Sequence, residues 1–371
     1  HRGRRPGAGA CDGSWRQDSA RRSRRRAASR TFALVRKLPE KRTAAGARPL
    51  LALTAGDPAG IGPELIGKLA GHRELFERAR VLVLGPEVAR PANVPELRGD
   101  ELGSIDTLAW RVTAGAGDWQ LGRPQASAGR AALAALRAGH DLALAGRVAA
   151  LVCAPVSKEA LHLAGEKVEG QTELLGRWCG CPDVQMLGLA RELRVLLLSR
   201  HLPLAAALAL VTSERVLAHL QLLAQGLAAL GFARPRLALA GLNPHAGENG
   251  VLGDEEQRLL APARVRARAA GLDVAGPLSP DTVFLRAAQG EFEGVLALYH
   301  DQAFIPLKLH APGEGLTVLV GLPYLRVSPA HGTAFDIAGQ GRADERNLVL
   351  ALEAAARFAP SYRASLSGGR A

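Results

Sequence analysis

From Pro49 onward the chain alternates short Val, Leu and Ala runs with amphipathic stretches, and that alternation admits few architectures. The runs fall at 50–54 (LLALT), 81–84 (VLVL), 150–153 (ALVC), 194–198 (VLLLS), 235–240 (PRLALA), 294–299 (GVLALY) and 316–321 (LTVLVG). Between them lie helix candidates at 63–71, 128–140, 156–164, 213–230, 253–271 and 344–358, with Pro63 in a first turn and Ser213 ahead of a long apolar-periodic stretch as start signals. Strands alternating with helices predict an α/β fold, a mostly parallel sheet flanked by helices. A shift in composition near 141–155 and the return of Gly-rich loops after 310 divide it into two lobes with a cleft between them. Residues 48–150 with 325–371 form the first lobe, and 151–324 the second.

The formal charge of +12 belongs to one end of the chain. Residues 1–48 hold 15 of the 47 Lys and Arg but 3 of the 35 Asp and Glu, leaving 32 of each sign in 49–371. A balanced body excludes a nucleic-acid partner for the folded part. The basic stretch, with its cluster at Arg21–Arg26, reads as a disordered tail at 1–47. An RNA-binding arm, an import presequence and an upstream extension are the three readings of it, the last favoured because the sequence becomes coherent near Arg48. No apolar run reaches the roughly 18 residues of a membrane span, so the expectation is a soluble cytoplasmic protein with no membrane partner. Cys11, Cys153, Cys179 and Cys181 are too few for a disulfide framework. Cys179-Gly-Cys181, with no second pair beside it, reads as a surface turn rather than half of a metal site.

Four loops carry more than turn chemistry: Gly56–Glu64 (GDPAGIGPE), Gly241–Glu248 (GLNPHAGE), Tyr299–Gln302 (YHDQ) and His331–Gly339 (HGTAFDIAG). Each belongs at a strand end, where α/β folds place ligands. The first has neither the G-x-G-x-x-G spacing of a dinucleotide turn nor a P-loop. Its amides at the start of helix 63–71 serve equally well as a structural turn or an anion cradle.

Of ten histidines, His72, His140, His162 and His219 fall within or beside helices, on expected surfaces. His201, His245 and His300 stand at the ends of three predicted strands. Three imidazoles converging from strand ends can hold a divalent metal with open positions, the catalytic arrangement. Their separations of 44 and 55 residues make no local motif, so on spacing alone isolated hydrogen-bonded histidines remain the alternative.

The ordered set Gly56–Glu64, Ala154-Pro-Val-Ser-Lys158, Gly170-Gln-Thr-Glu173, His201-Leu-Pro-Leu204, Leu242–Gly247, Gly276-Pro-Leu278 with Asp281-Thr282, Tyr299–Gln302 and His331–Gly339 resembles the 4-hydroxythreonine-4-phosphate dehydrogenase family of vitamin B6 biosynthesis from about residue 50 to 358. The resemblance implies a two-lobed fold similar to the isocitrate and isopropylmalate dehydrogenases, with the active site in the interdomain cleft of a homodimer, at the subunit interface. It implies His201, His245 and His300 as ligands of one divalent metal (zinc, magnesium or cobalt), and substrate contacts from Gln171, Thr172, Lys308, Thr317 and Arg326. Gln171 stands where the family has His, and Thr317 where it has Asn, departures that bear on substrate identity more than on reaction type. His331, Gly332, Thr333 and Asp336 also resemble the cofactor loop of the β-decarboxylating dehydrogenases, which implies an NAD or NADP site there. A helix cap is the alternative for His331 and Asp336.

The activity implied is NAD-dependent oxidation of 4-phosphooxy-L-threonine at carbon 3, then decarboxylation to 3-amino-2-oxopropyl phosphate, with Lys308 or Asp281 relaying the proton. A related dehydrogenase of a phosphorylated four-carbon sugar acid or a diol carboxylate is the alternative within the class. A metal-dependent hydrolase is the alternative outside it.

Overall fold

The computed structural model describes residues 48–115 and 117–368; the basic tail lies outside the described residues. The strands are β1 (Leu50–Thr54), β2 (Arg80–Gly85), β3 (Leu108–Val112), β4 (Ala150–Cys153), β5 (Gln185–Ala190), β6 (Leu193–Leu197), β7 (Arg236–Ala240), β8 (Asp273–Leu278), β9 (Gly294–Ala297), β10 (Leu316–Val320) and β11 (Arg326–Pro329). The helices are α1 (Gly62–Leu69), α2 (Arg73–Arg78), α3 (Ala126–Leu144), α4 (Lys158–Leu163), α5 (Gln171–Cys179), α6 (Leu204–Ala209), α7 (Ser213–Ala229), α8 (Ala261–Ala269), α9 (Val283–Ala288), α10 (His300–His310) and α11 (Arg346–Gly368).

All eleven strands join one sheet in the order β3-β2-β1-β4-β11-β10-β5-β6-β9-β7-β8. Two parallel blocks, β3-β2-β1-β4-β11 and β6-β9-β7-β8, flank an antiparallel centre in which β10 pairs with both β11 and β5, and β5 with β6. The mostly parallel α/β expectation therefore holds. The apolar strands β1 and β4 are buried along their whole length, as a sheet covered by helices on both faces requires.

The strands absent from the sequence expectation each break the apolar pattern for a visible reason. β11 reads as polar (RVSP) because Arg326 and Ser328 point into the protein. β5 carries Gly188 where a Cβ would stand 2.5 Å from Leu307 of α10. β3 lies at the sheet edge with an exposed end, and β8 contains Gly276-Pro277. Helix 253–271 is in fact a π turn at Glu256–Leu260 followed by α8, divided where Pro262 has no N–H to donate.

Two further corrections concern the core. His140 and His219 are buried, not on the surface: His140 Nδ1 lies 2.8 Å from Tyr324 Oη, and His219 Nδ1 2.8 Å from the Arg215 carbonyl. Burial holds both imidazoles below their ordinary pKa, hence neutral. Cys179-Gly-Cys181 is the end of α5, with Gly180 left-handed (φ 63°) and Cys181 N–H donating to Gly176 O.

Candidate active site

The first Gly-rich loop is a platform for the last. Ile61 N donates to Thr333 O at 3.1 Å, and a Cβ on Gly60 would stand 3.0 Å from that same oxygen, so only glycine lets the two loops touch. Glu64 of α1 accepts from Gly341 N and Ala343 N, and Lys68 Nζ donates to Gly341 O at 3.0 Å. The segment His331–Gly339 is thereby fixed against the C-terminal end of β1. Phe335–Ile337 form a single 3-10 turn after a left-handed Ala334 (φ 44°), and no side chain caps it, so neither His331 nor Asp336 acts as a helix cap. Gly332 and Asp336 are exposed, and His331 and Thr333 half-buried.

Beneath this platform Asp57 is fully buried. Its Oδ1 accepts from Ala59 N at 2.9 Å, while Oδ2 has no partner among the described residues. Burial pushes its carboxyl up to about 6, against the pull of the Ala59 and Ser157 amides.

The second group gathers at the ends of β6 and β9. The His201 and His300 rings face each other with centroids 5.5 Å apart. His300 opens α10 rather than closing a strand; its Nδ1 lies 2.6 Å from Asp301 Oδ1, and its ring stacks on Phe304 at 4.6 Å. Lys308 Nζ lies 6.0 Å from the Phe304 ring, so His300, Phe304 and Lys308 form one stripe at i, i+4 and i+8. Packing around His201, then the Lys158 and His300 charges beside it, hold that imidazole below its ordinary pKa.

His245 sits on a left-handed turn in which His245, Ala246, Gly247, Glu248 and Asn249 have φ of 51, 53, 78, 43 and 56°. Non-glycine residues resist this conformation, and the buried Glu256 anchors the residues that lead into it. Its Oε1 accepts from Leu242 N (2.8 Å) and Asn243 N (2.7 Å), and its Oε2 from Asn243 Nδ2 (2.9 Å). Asp281 is close enough to feel the His245 charge; the Ser279 hydroxyl, 2.6 Å from its Oδ1, is the larger cause of its lowered pKa. The fold thus brings His201 and His300 together and leaves His245 beside Asp281. Among the described residues no three His, Cys, Asp or Glu side chains form a ready-made metal group. The donor chemistry of His300 nevertheless fits a metal, because an Nδ1–H given to Asp301 turns the Nε2 lone pair outward.

The third group is anionic in preference. Gln171 opens α5, and Gly170 ahead of it offers no side-chain cap. The helix therefore presents its positive end beside Thr172. Arg326 is 4% exposed and donates from Nε to Cys153 Sγ (3.4 Å), from Nη1 to Ser328 Oγ (2.9 Å) and from Nη2 to Gln171 Oε1 (3.1 Å). No carboxylate pairs with it among the described residues. Thr317 is buried directly across from Ser328 in the antiparallel ladder, on the sheet face of Arg326. Lys158, missed as a site residue, has its Cε 3.8 Å from where a Cβ of Gly170 would stand. Asp301, Glu256, Ser328 and the Arg200–Glu173 ion pair (3.0 Å) were likewise missed. Asp301, Lys158 and Glu173 carried a signal, as members of the quoted motifs.

The family model for the pyridoxal phosphate biosynthetic protein PdxA matches residues 68–355. The chain is 39% identical over 338 residues to 4-hydroxythreonine-4-phosphate dehydrogenase of Geobacter metallireducens, covering 87% of this chain and 98% of that one. It is equally 39% identical over 326 residues to D-threonate 4-phosphate dehydrogenase of Salmonella typhimurium, covering 83% and 98%. The crystal structure of 4-hydroxythreonine-4-phosphate dehydrogenase from Klebsiella pneumoniae superposes with a TM-score of 0.75 at 38% identity, over 84% of this chain and 99% of that one. An α/β sheet with ligand loops at its strand ends and relatives of this kind define a dehydrogenase. The chain belongs to the pyridoxal phosphate biosynthetic protein PdxA family.

Proposed function

We propose that the protein oxidises 4-phosphooxy-L-threonine at carbon 3 with NAD or NADP, and that the β-keto acid so formed loses carbon dioxide to give 3-amino-2-oxopropyl phosphate. The observation that carries this reading is the buried Arg326, which has no counter-charge among the described residues and lies beside the positive end of α5. Such a site gains from an oxyanion, with Thr172 and Thr317 on its borders and Lys308 at the end of the His300 stripe.

His201, His245 and His300 would hold a divalent ion, which when bound supplies Lewis-acid stabilisation of negative charge on the carbon 3 oxygen. His331, Gly332, Thr333 and Asp336 would seat the nicotinamide nucleotide on the loop fixed by Glu64 and Lys68. A nicotinamide nucleotide held there would supply the acceptor for the carbon 3 hydrogen, and the hydroxyl proton would leave to a base. Lys308 or Asp281 accepts that proton. Decarboxylation then breaks the bond between carbons 1 and 2, and a proton returned to carbon 2 completes the product.

We also read the active enzyme as a homodimer. Exposed Leu285 (61%), Ile305 (58%) and Leu309 (76%) flank a groove that Asp281 and Asp301 also line, so a second copy would cover apolar surface and close the site together. The lobes 48–150 with 325–371 and 151–324 are supported by the two parallel blocks of the sheet. A cytoplasmic location accords with the free thiols Cys153, Cys179 and Cys181.

The Salmonella relative's name favours a second reading, D-threonate 4-phosphate, which carries a hydroxyl in place of the amine at carbon 2. Comparing rates of nicotinamide reduction on the two compounds tests the reading. A metal-dependent hydrolase would reduce no nicotinamide with either.

A further inference from the structure

Among the described residues the Arg326 guanidinium donates to a cysteine sulfur, a hydroxyl and an amide oxygen, and to no carboxylate. A buried guanidinium without a counter-ion is costly, so the neutrality of the cage bears on what the site binds. One cage member differs from the others. Gln171 is tied at both ends, its Oε1 to Arg326 Nη2 at 3.1 Å and its Nε2 to Ala154 O at 3.3 Å, which fixes the amide orientation. A carboxylate of the same shape would accept the same guanidinium bond and cancel the charge.

We propose that Gln171 is a positioning residue that aims Arg326 without neutralising it, leaving the whole cationic charge for a substrate oxyanion. This rests on the reading of Arg326 as the substrate's anion contact and goes beyond it. Position 171 sets the anion affinity of the site through Arg326, and touching the substrate is not its main role. Two separable effects follow. Removing the amide oxygen frees Nη2 and costs alignment, whereas replacing the amide by carboxylate keeps the guanidinium bond, gives up the donation to Ala154 O and cancels charge.

Inorganic phosphate is the probe, with its dissociation constant measured calorimetrically on the full chain, beside KM and kcat for the phosphorylated substrates. Gln171→Glu should weaken phosphate binding at least about tenfold and raise KM in proportion, with kcat changed far less. Gln171→Met, neutral and of similar length, should weaken it by an intermediate, roughly threefold to fivefold, factor. In an Arg326→Ala background neither substitution should cost anything more, because the group through which both act is gone. Acetate run in parallel separates a phosphate preference from a general carboxylate site: a parallel loss of acetate affinity also supports the charge argument. Phosphate affinity within twofold of wild type in Gln171→Glu, or a penalty that persists without Arg326, would overturn the proposal. If Gln171→Glu does not fold, Gln171→Met decides alone, and affinity unchanged from wild type overturns it. Phosphate binding needs no turnover, so a wild-type protein that shows this pattern yet reduces no nicotinamide would sink the proposed reaction and leave the role of Gln171 standing.

Discussion

His300 gives its Nδ1 proton to Asp301 Oδ1 across 2.6 Å, between residues adjacent in sequence at the first turn of α10. The bond selects the tautomer in which Nε2 carries the free lone pair. Carboxylate partners of metal-binding imidazoles orient the ring in this way. Asp301→Asn should therefore weaken binding of a divalent ion about 10- to 100-fold with the fold intact. Competition against a chelator of known affinity measures this, and an unchanged affinity would show that Asp301 does not tune His300.

Glu256 should matter for a different reason. Its buried carboxylate anchors Leu242 and Asn243, which lead into the left-handed run around His245, through three hydrogen bonds. Glu256→Ala should cost about 2 to 5 kcal/mol of stability and also lower metal affinity, because the turn relaxes. Denaturant unfolding reads the first effect and metal titration the second. Loss of stability with metal affinity untouched would mean that His245 is not a ligand.

Asp57 makes the fold sensitive to pH. Its folded-state pKa of about 6 lies above the ordinary 3.8, so the fold favours the protonated form. Its contribution is fully present below the ordinary value and is lost as pH rises through about 6, a change on the order of 2 to 3 kcal/mol. In Asp57→Asn that contribution no longer titrates. Unfolding midpoints compared near pH 4 and pH 7 should shift in the variant's favour as pH rises; parallel curves would mean that Asp57 titrates normally.

Lys308 and Asp281 compete for the proton relay. Lys308→Ala should lower kcat about 100- to 10,000-fold if Lys308 moves the proton, whereas Asp281→Asn should then act mainly on KM. The reverse ranking would transfer the relay to Asp281, whose carboxyl the Ser279 hydroxyl already holds below its usual range.

Much of this was legible in the sequence, and what was missed has common causes. The apolar strands β1, β2, β4, β6, β7, β9 and β10 appear in the pattern because both faces are buried. β11 was hidden because its inward residues are Arg326 and Ser328, polar for the sake of the site they build. α10 was hidden because Pro306 stands inside it and because its first residue, His300, looked like a strand end. Arg326 was named through the family resemblance alone, whereas His201 and His300 could be picked out by motif. The roles of Glu256 and Gln171 could not, since each acts through contacts to residues 13 or more positions away.

One measurement tests the central claim most directly: nicotinamide reduction by the metal-stripped protein, and by the same protein after a divalent ion is restored, with 4-phosphooxy-L-threonine and D-threonate 4-phosphate as substrates. The account predicts turnover on the phosphorylated substrate, its loss on chelation and its return with the ion. Full activity in verified metal-free protein, or no reduction of nicotinamide with either compound, would contradict it.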